Sequence, residues 1–399
     1  MREEHIGARI AAERRLRGLT QRQLADRVHV SHSLVTKVER GDRPATPALV
    51  AAVARILRVE QGRLTGQPYF TGDRADDAVH DLIPDLRREI TSYGLPPDDN
   101  EPRPDLSTLG ARVAHASGFV HDVDYIRLGE TLPALLADLR AAAFTADGAT
   151  RERVMLWMAE TYDNAKRVAY DLGYPDLGAH AVALKEQAAA ESGDPLAVAV
   201  AAAVRGWTLI GTGAFDAASR VLAAALVDLE PLTRNPTAPT WSVWGFLNLQ
   251  AALAAARAAD SSTAWDYFAE AERATAAVGV DRDDFRLAFG PTNTAIWGVA
   301  LAVELQDGAA AVARAARVRI PADLPKARAS HHFLDLSRGY LYYGDRQSAL
   351  GALVTARRHA PQQVRYNPMA RETVYALAQA ERRSSESLRS LATWMGIPD

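Results

Sequence analysis

The sequence predicts an all-α protein in two parts, a small five-helix domain at the N-terminus and a long superhelix of paired helices after it. Three observations carry this. Apolar residues recur every three to four positions along nearly the whole chain of 399 residues, with no alternating strand pattern and no hairpin signal. Glycine, proline and aspartate punctuate that pattern, leaving helical runs of about 15 to 22 residues between them. Basic charge is concentrated at one end. Residues 1–64 hold 13 Lys+Arg against 7 Asp+Glu, a balance of +6, whereas the remainder holds 33 against 42 and the whole chain sums to −3.

Within the first part, Thr20 followed by Gln23 has the arrangement of a capping box, in which each side chain satisfies a free amide at a helix start. Leu24, Ala25 and Val28 then fall on one inward stripe. Ser31 is a second cap, opening a helix whose Leu34, Val35 and Val38 point inward and which ends at Glu39-Arg40-Gly41, where glycine can turn left-handed. Ile6, Ile10 and Leu16 give an apolar stripe to a first helix over about residues 4–17. Thr46-Pro47 opens a further helix filled by Leu49, Val50, Val53, Ile56 and Leu57. Two short helices joined by a tight turn at His29, the second with a polar outer edge, have the form of a DNA reader.

The segments LTQRQLAD and VSHSLVTKVERGDRPAT resemble the helix-turn-helix domains of the phage-repressor class, the XRE family, over residues 3 to about 66. That turn usually carries glycine; here it carries His29, which tolerates positive φ better than most residues. The resemblance implies that His32, Ser33 and Thr36 read base edges, with Lys37 on the next turn. It also implies that Gln21 grips the DNA backbone, Arg43 contacts a phosphate and Arg14 pairs internally with Glu39. Phosphate contacts set register and base contacts carry sequence information.

The domain boundaries expected are 1–66 for the reader, 67–104 for a connector helix and loop, and 105–399 for the repeats. The connector helix, over about 74–92, has Val79, Leu82, Ile83, Leu86 and Ile90 on its apolar face and suits an arm or a dimer contact. LPPDDNEPRP (95–104) reads as a loop. Beyond it, four breaks lead into similar units closing at Ala218, Ala264, Ala311 and Ala349, in steps of 46, 47 and 38 residues. A small residue there lets a second helix pack close on the first. The units resemble tetratricopeptide repeats, although the period exceeds the usual one, and the expected shape is a right-handed superhelix with a concave inner surface.

Composition excludes several functions. Zero cysteines leave no disulfides, cysteine nucleophiles, cysteine zinc sites or iron–sulfur clusters. No apolar run is long enough to span a membrane, and the N-terminus lacks a signal-peptide core, so a cytoplasmic location and no membrane partner are expected. No phosphate-binding loop or zinc-protease motif is present, so neither an enzyme nor a cofactor is expected. His331 and Asp335 share a helix face without a visible third ligand, so no metal site is expected.

Asn248 and Asn293 would sit on inner faces of repeats, where an amide both donates and accepts, with Trp244 one turn before Asn248; satisfied buried amides are the plainer account. Arg328, His331 and Asp335 share one helix face, suited to a polar network or to an anion, and Arg365 can hold a carboxylate in two-pronged fashion. The whole plan is similar to the RRNPP class and to actinobacterial regulators of the same build, in which segments like FGPTN and HHFLDLSRGY recur. That resemblance implies a homodimeric transcription regulator, with double-stranded DNA as one partner and a short signalling peptide, as in quorum sensing, bound by the repeats. The alternatives are a receptor for a small anionic molecule, using Arg328, His331 and Arg365, and a protein-binding scaffold localised on DNA.

Overall fold

The computed structural model describes residues 5–70, 77–97, 105–380 and 385–397. Among these residues there is no strand, only an isolated antiparallel bridge between Arg282 and Phe289. Residues 71–76 of the expected connector and 98–104 of the expected loop lie outside the described residues.

The head has five helices: α1 (Ile6–Leu16), α2 (Gln21–Arg27), α3 (His32–Glu39), α4 (Pro47–Leu57) and α5 (Gln61–Thr65). The caps are those the sequence indicates. Thr20 and Gln23 form the full capping box, Ser31 Oγ accepts from Leu34 N at 3.2 Å, and Thr46 does the same for Leu49 N at 3.2 Å. Each such cap satisfies an amide that the helix leaves open and is worth about 1 kcal/mol. His29 takes φ 58° in the turn, so the histidine accepts the left-handed geometry that glycine would ordinarily supply. Ile6, Ile10, Leu24, Val35, Val38 and Leu57 close the core. Leu16 corrects the sequence reading. It is 76% exposed, because α1 ends there and its inward stripe stops at Ile10 and Ala11.

The body is a run of helical hairpins. The pairs are α7 (Leu106–Asp122) with α8 (Tyr125–Thr145), α9 (Gly148–Leu172) with α10 (Pro175–Ser192), α11 (Pro195–Gly211) with α12 (Phe215–Leu229), α13 (Ala238–Arg257) with α14 (Ser261–Val278), α15 (Pro291–Glu304) with α16 (Gly308–Ala315), and α17 (Lys326–Tyr343) with α18 (Arg346–His359). A short α19 (Pro361–Tyr366), α20 (Pro368–Ala380) and α21 (Glu386–Trp394) follow. Each hairpin turns the same way. A residue in the left-handed region ends the first helix: Val123, Gly173, Gly213, Ala259, Gln306 or Gly344. The second helix then starts, in four of the six, from an aspartate whose carboxylate accepts from the backbone three residues on. Ala218, Ala264, Ala311 and Ala349 are all fully buried, four residues into that turn. Leu128 and Gly178 hold the same place in two earlier hairpins that the sequence pattern did not reveal.

A helix α6 (Ile83–Thr91) precedes the first hairpin. Val79, Ile83, Leu86 and Ile90 are buried in one core with Leu128, Leu132, Leu135 and Leu139 of α8. Its apolar face is therefore spent within its own chain, and not presented to a partner as an arm would be. The superhelix bends until its ends meet. Lys326 Nζ lies 2.8 Å from Asp122, Tyr125 N donates to Gln362 Oε1 at 2.7 Å, and Arg286 Nε reaches Glu160 at 2.9 Å. The first helices of the hairpins thus face a central space.

Candidate functional site

On the reading helix α3 the two sides differ sharply. Val35, Val38 and Glu39 are buried, whereas His32, Ser33 and Lys37 are exposed. Arg14 and Glu39 form the internal pair: Arg14 Nε and Nη2 reach the two Glu39 oxygens at 2.5 and 2.7 Å, and Nη1 donates to Leu19 O at 2.6 Å. Gln21 and Thr36 are already engaged with each other and with this pair. Gln21 Nε2 donates to Glu39 Oε2 at 2.8 Å, and Thr36 Oγ1 donates to Gln21 Oε1 at 3.1 Å. This chain of bonds fixes α3 against α2. Arg43 points at the body and donates to Gln306.

The head is seated on the body, chiefly on α20. Glu372, only 3% exposed, accepts from two head amides at once, Ile6 N on Oε2 and Ala45 N on Oε1, both at 3.1 Å. Burial raises its carboxyl above the usual range, against the pull of those amides and Arg9. Gln379 Nε2 donates to Arg40 O at 2.6 Å, Gln61 Nε2 to Gly211 O at 2.8 Å, and Met369 packs into the head core. Between the head turn (Val28, Val30, Leu34) and body residues such as Phe215 and Trp265 runs a cleft of about 1040 Å³.

The central space of the body narrows to a chamber of about 340 Å³, lined by α9, α11, α13, α15, α17 and α19, with Pro47 of the head and Gln67 of the connector at its margin. Its carboxylates are all engaged. Asp171 takes Arg167 Nε at 2.6 Å as well as the Tyr125 hydroxyl. Glu304 takes Arg257 at 3.0 Å and Arg338 at 2.8 Å, and Asp335 takes Arg338 at 3.2 Å. Burial pushes the Glu304 carboxyl up, but the two guanidiniums outweigh it and hold it down to about 2. Lys166 lies 3.3 Å from Asp163 and over the Trp207 ring. Arg328 has no carboxylate within ion-pair distance and no hydrogen bond from its side chain among the described residues; burial and the nearby Arg167 lower it to about 10, so it stays charged at neutral pH. His331 is pushed to about 3 by burial and then by Arg328 and Arg167, so its ring is neutral.

Of the residues singled out as ligand contacts, Arg328 and His331 share this lining. Asn248, Asn293, Trp244 and Arg365 do not join them. Asn248 Nδ2 donates to Trp244 O at 2.9 Å within its own helix. Asn293, 1% exposed, holds Leu287 O at 3.4 Å and so ties down the loop 280–290 that fills the gap between α14 and α15. There Gly290 adopts φ 155°, and Phe289 packs so closely on Gly245 that a Cβ at that glycine would overlap the ring. Arg365 stacks 4.5 Å from the Trp394 ring. Sequence reasoning missed Arg167, Asp171, Gln250, Trp297, Glu304 and Arg338. A signal for them exists in the repeat register. Asp171, Gly211, Arg257 and Glu304 each precede their left-handed turn residue by two positions; Arg167, Trp207, Leu253, Ala300 and Arg338 precede it by six; Val204, Gln250, Trp297 and Asp335 by nine.

Residues 5–65 match the family described as helix-turn-helix domain. The chain joins this helix-turn-helix domain to a body of helical hairpins. A crystal structure of Bacillus thuringiensis PlcR in complex with the peptide PapR7 and DNA aligns over 69% of this chain and 96% of that one, at 13% identity and a TM-score of 0.32, a likeness too loose to transfer any contact. No curated protein matches the sequence. No helix among the described residues is long and apolar enough to cross a membrane, and no group of three or more His, Asp or Glu side chains there is placed to hold a metal ion.

Proposed function

We propose that this protein is a sequence-specific transcription regulator that binds a near-palindromic operator as a homodimer, and that its repeats receive a signal that alters how firmly the head is held. The observation that carries the reading is α3. Its inner side is locked by Val35, Val38 and the Arg14–Glu39 pair, while His32, Ser33 and Lys37 remain open on the basic end of the chain. An exposed polar helix edge held by a rigid three-helix corner is what major-groove reading requires, with two heads spaced about one DNA turn apart. Lys37 is the phosphate-range cation of that edge, and Arg43 joins it once freed from Gln306.

The seating of the head supplies the control. Glu372 bonds amides at the start of α1 and ahead of α4, so a signal that shifts α20 releases or re-aims the reader. Such coupling requires the signal to bind one arrangement better than the other. The cleft of about 1040 Å³ between head and body has the size for a short peptide that touches both, and its lining mixes apolar residues such as Phe215 and Trp265 with charged ones such as Arg220 and Asp216. Selection from random duplexes tests the regulator: an enriched two-fold sequence is expected, and Lys37→Ala should weaken binding to all sequences and lower the salt slope by about one. Absence of any preferred sequence over competitor DNA, or a monomer by sedimentation on the selected site, removes it.

A further inference from the structure

We infer that the central chamber is a receptor site for a small organic anion, a carboxylate or phosphate monoester with a flat apolar body, whose charge is taken by Arg328. The inference rests on the regulator reading only for its consequence, not for the binding itself. Four buried polar atoms on this one lining have no partner: Gln250 Oε1, Trp297 Nε1, His331 Nδ1 and Arg338 Nη2. A buried polar atom without a partner costs free energy, and four gathered on one cavity with an unpaired guanidinium describe a set of contacts that a ligand completes. The cavity, about 340 Å³, falls at the small end of ordinary ligand sites.

The charge accounting points to the ligand class. Each carboxylate on the lining is held by an arginine of the body, and Glu304 by two. A cationic ligand would have to displace one of those arginines. Arg328 is the cation left over, and its planar fork matches a carboxylate or a phosphate in two-pronged fashion. Trp207, Phe246, Leu253, Ile296 and Trp297 offer the apolar wall, and Gln250 Oε1 accepts from a hydroxyl or amine on the ligand. The neutral His331 ring lies beside Arg328 and gains a favourable partner if an anion arrives, so binding raises its proton affinity.

Occupancy is felt by the head. The lining includes Pro47, the first residue of α4, and Met369, which is partly buried against the head core. A ligand in the chamber therefore contacts both partners of the seating that Glu372 maintains.

The test uses the full chain and its tryptophan emission, because all seven tryptophans lie in the body beyond residue 150. Phenylacetate and phenyl phosphate are the anionic probes and 2-phenylethanol the neutral one. Expected are saturable changes with either anion, which also tells carboxylate from phosphate, a weaker or absent response to the alcohol, and at least about a tenfold loss of affinity in Arg328→Gln. The Arg328→Gln protein should melt at or above the parent, by up to about 3 °C, since an unpaired, half-buried charge is removed. An equal response to the neutral probe, no response to either anion, unchanged affinity in Arg328→Gln, or a lower melting point in that variant overturns the site. DNA selection is scored separately, so failure of the regulator reading leaves this result standing and the reverse holds too.

Discussion

Two arginines show how differently the head and the body use buried charge. Arg14 in the head is 7% exposed, and its guanidinium is filled by two oxygens of Glu39 and the Leu19 carbonyl. Arg328 in the body faces a chamber with no such partner. Removing a charge from water costs several kcal/mol unless fixed partners offset it. Where the partners are built in, as at Arg14, the arginine is a structural pin that sets the angle of α3. Where they are missing, the site is completed by something the chain does not itself contain.

Breaking the head's pair should turn Arg14 into a second Arg328, and this is the largest effect expected. Glu39→Ala leaves a buried guanidinium uncompensated and also takes a partner from Gln21, so the head should lose about 3–5 kcal/mol. Tryptophan emission will not report it, because the head has none; amide exchange across α1 to α4 will. Unchanged protection there would mean that Arg14 finds enough in Leu19 O alone.

The body should instead be the acid-sensitive half. His332 is 3% exposed, and burial lowers it to about 4 from its ordinary value near 6.5, despite the opposing pull of Asp335. Between those two values the unfolded chain takes up a proton that the folded chain refuses, so stability falls as pH drops through the window, by at most about 1.4 kcal/mol per pH unit for this group. Below about 4.5 the depressed Glu304 adds a loss of the same sign. Denaturant titrations followed by tryptophan emission at pH 7.5, 6 and 5 measure this, and His332→Gln should flatten the first part of the slope.

The smallest effect sits on the border between the two regions. Glu372→Gln keeps the shape of the latch but removes its charge and one of its two acceptors, so one of the amides at Ile6 and Ala45 is left open. Seating of the head should weaken by about 1–2 kcal/mol, with faster exchange at those two amides and no change in the melting of the body. If protection of the two amides persists, the contacts of Gln379, Gln61 and Met369 hold the head by themselves.

Local rules made much of this legible. Thr20, Ser31 and Thr46 announce their helices because a cap is decided by residues three apart, and the Arg14–Glu39 pair and the Gly41 terminus follow from the motif that contains them. The buried alanines at 218, 264, 311 and 349 were readable for the same reason. The left-handed backbone at Val123, Ala259 and Gln306 was not readable, although the breaks beside the last two were, since glycine holds that conformation elsewhere and here only packing on both sides sustains it. Asn293 of the FGPTN segment was open in the sequence to two readings, a ligand contact or a satisfied buried amide. In the structure Phe289 lies under Gly245 and Asn293 donates to Leu287 O, because what an amide faces depends on how the loop just six residues earlier folds back on it.

The sequence by itself determined that the chain is helical, that a reading head precedes paired helices, and which edge of α3 is polar, because periodicity, caps and charge act over a few residues. The tertiary structure alone decided that the superhelix closes on itself, that Glu372 seats the head, and that Arg328 is the cation without a counter-ion. Those are contacts between residues up to 366 positions apart, fixed by how six hairpins curve together, and no local pattern encodes a sum over that curvature.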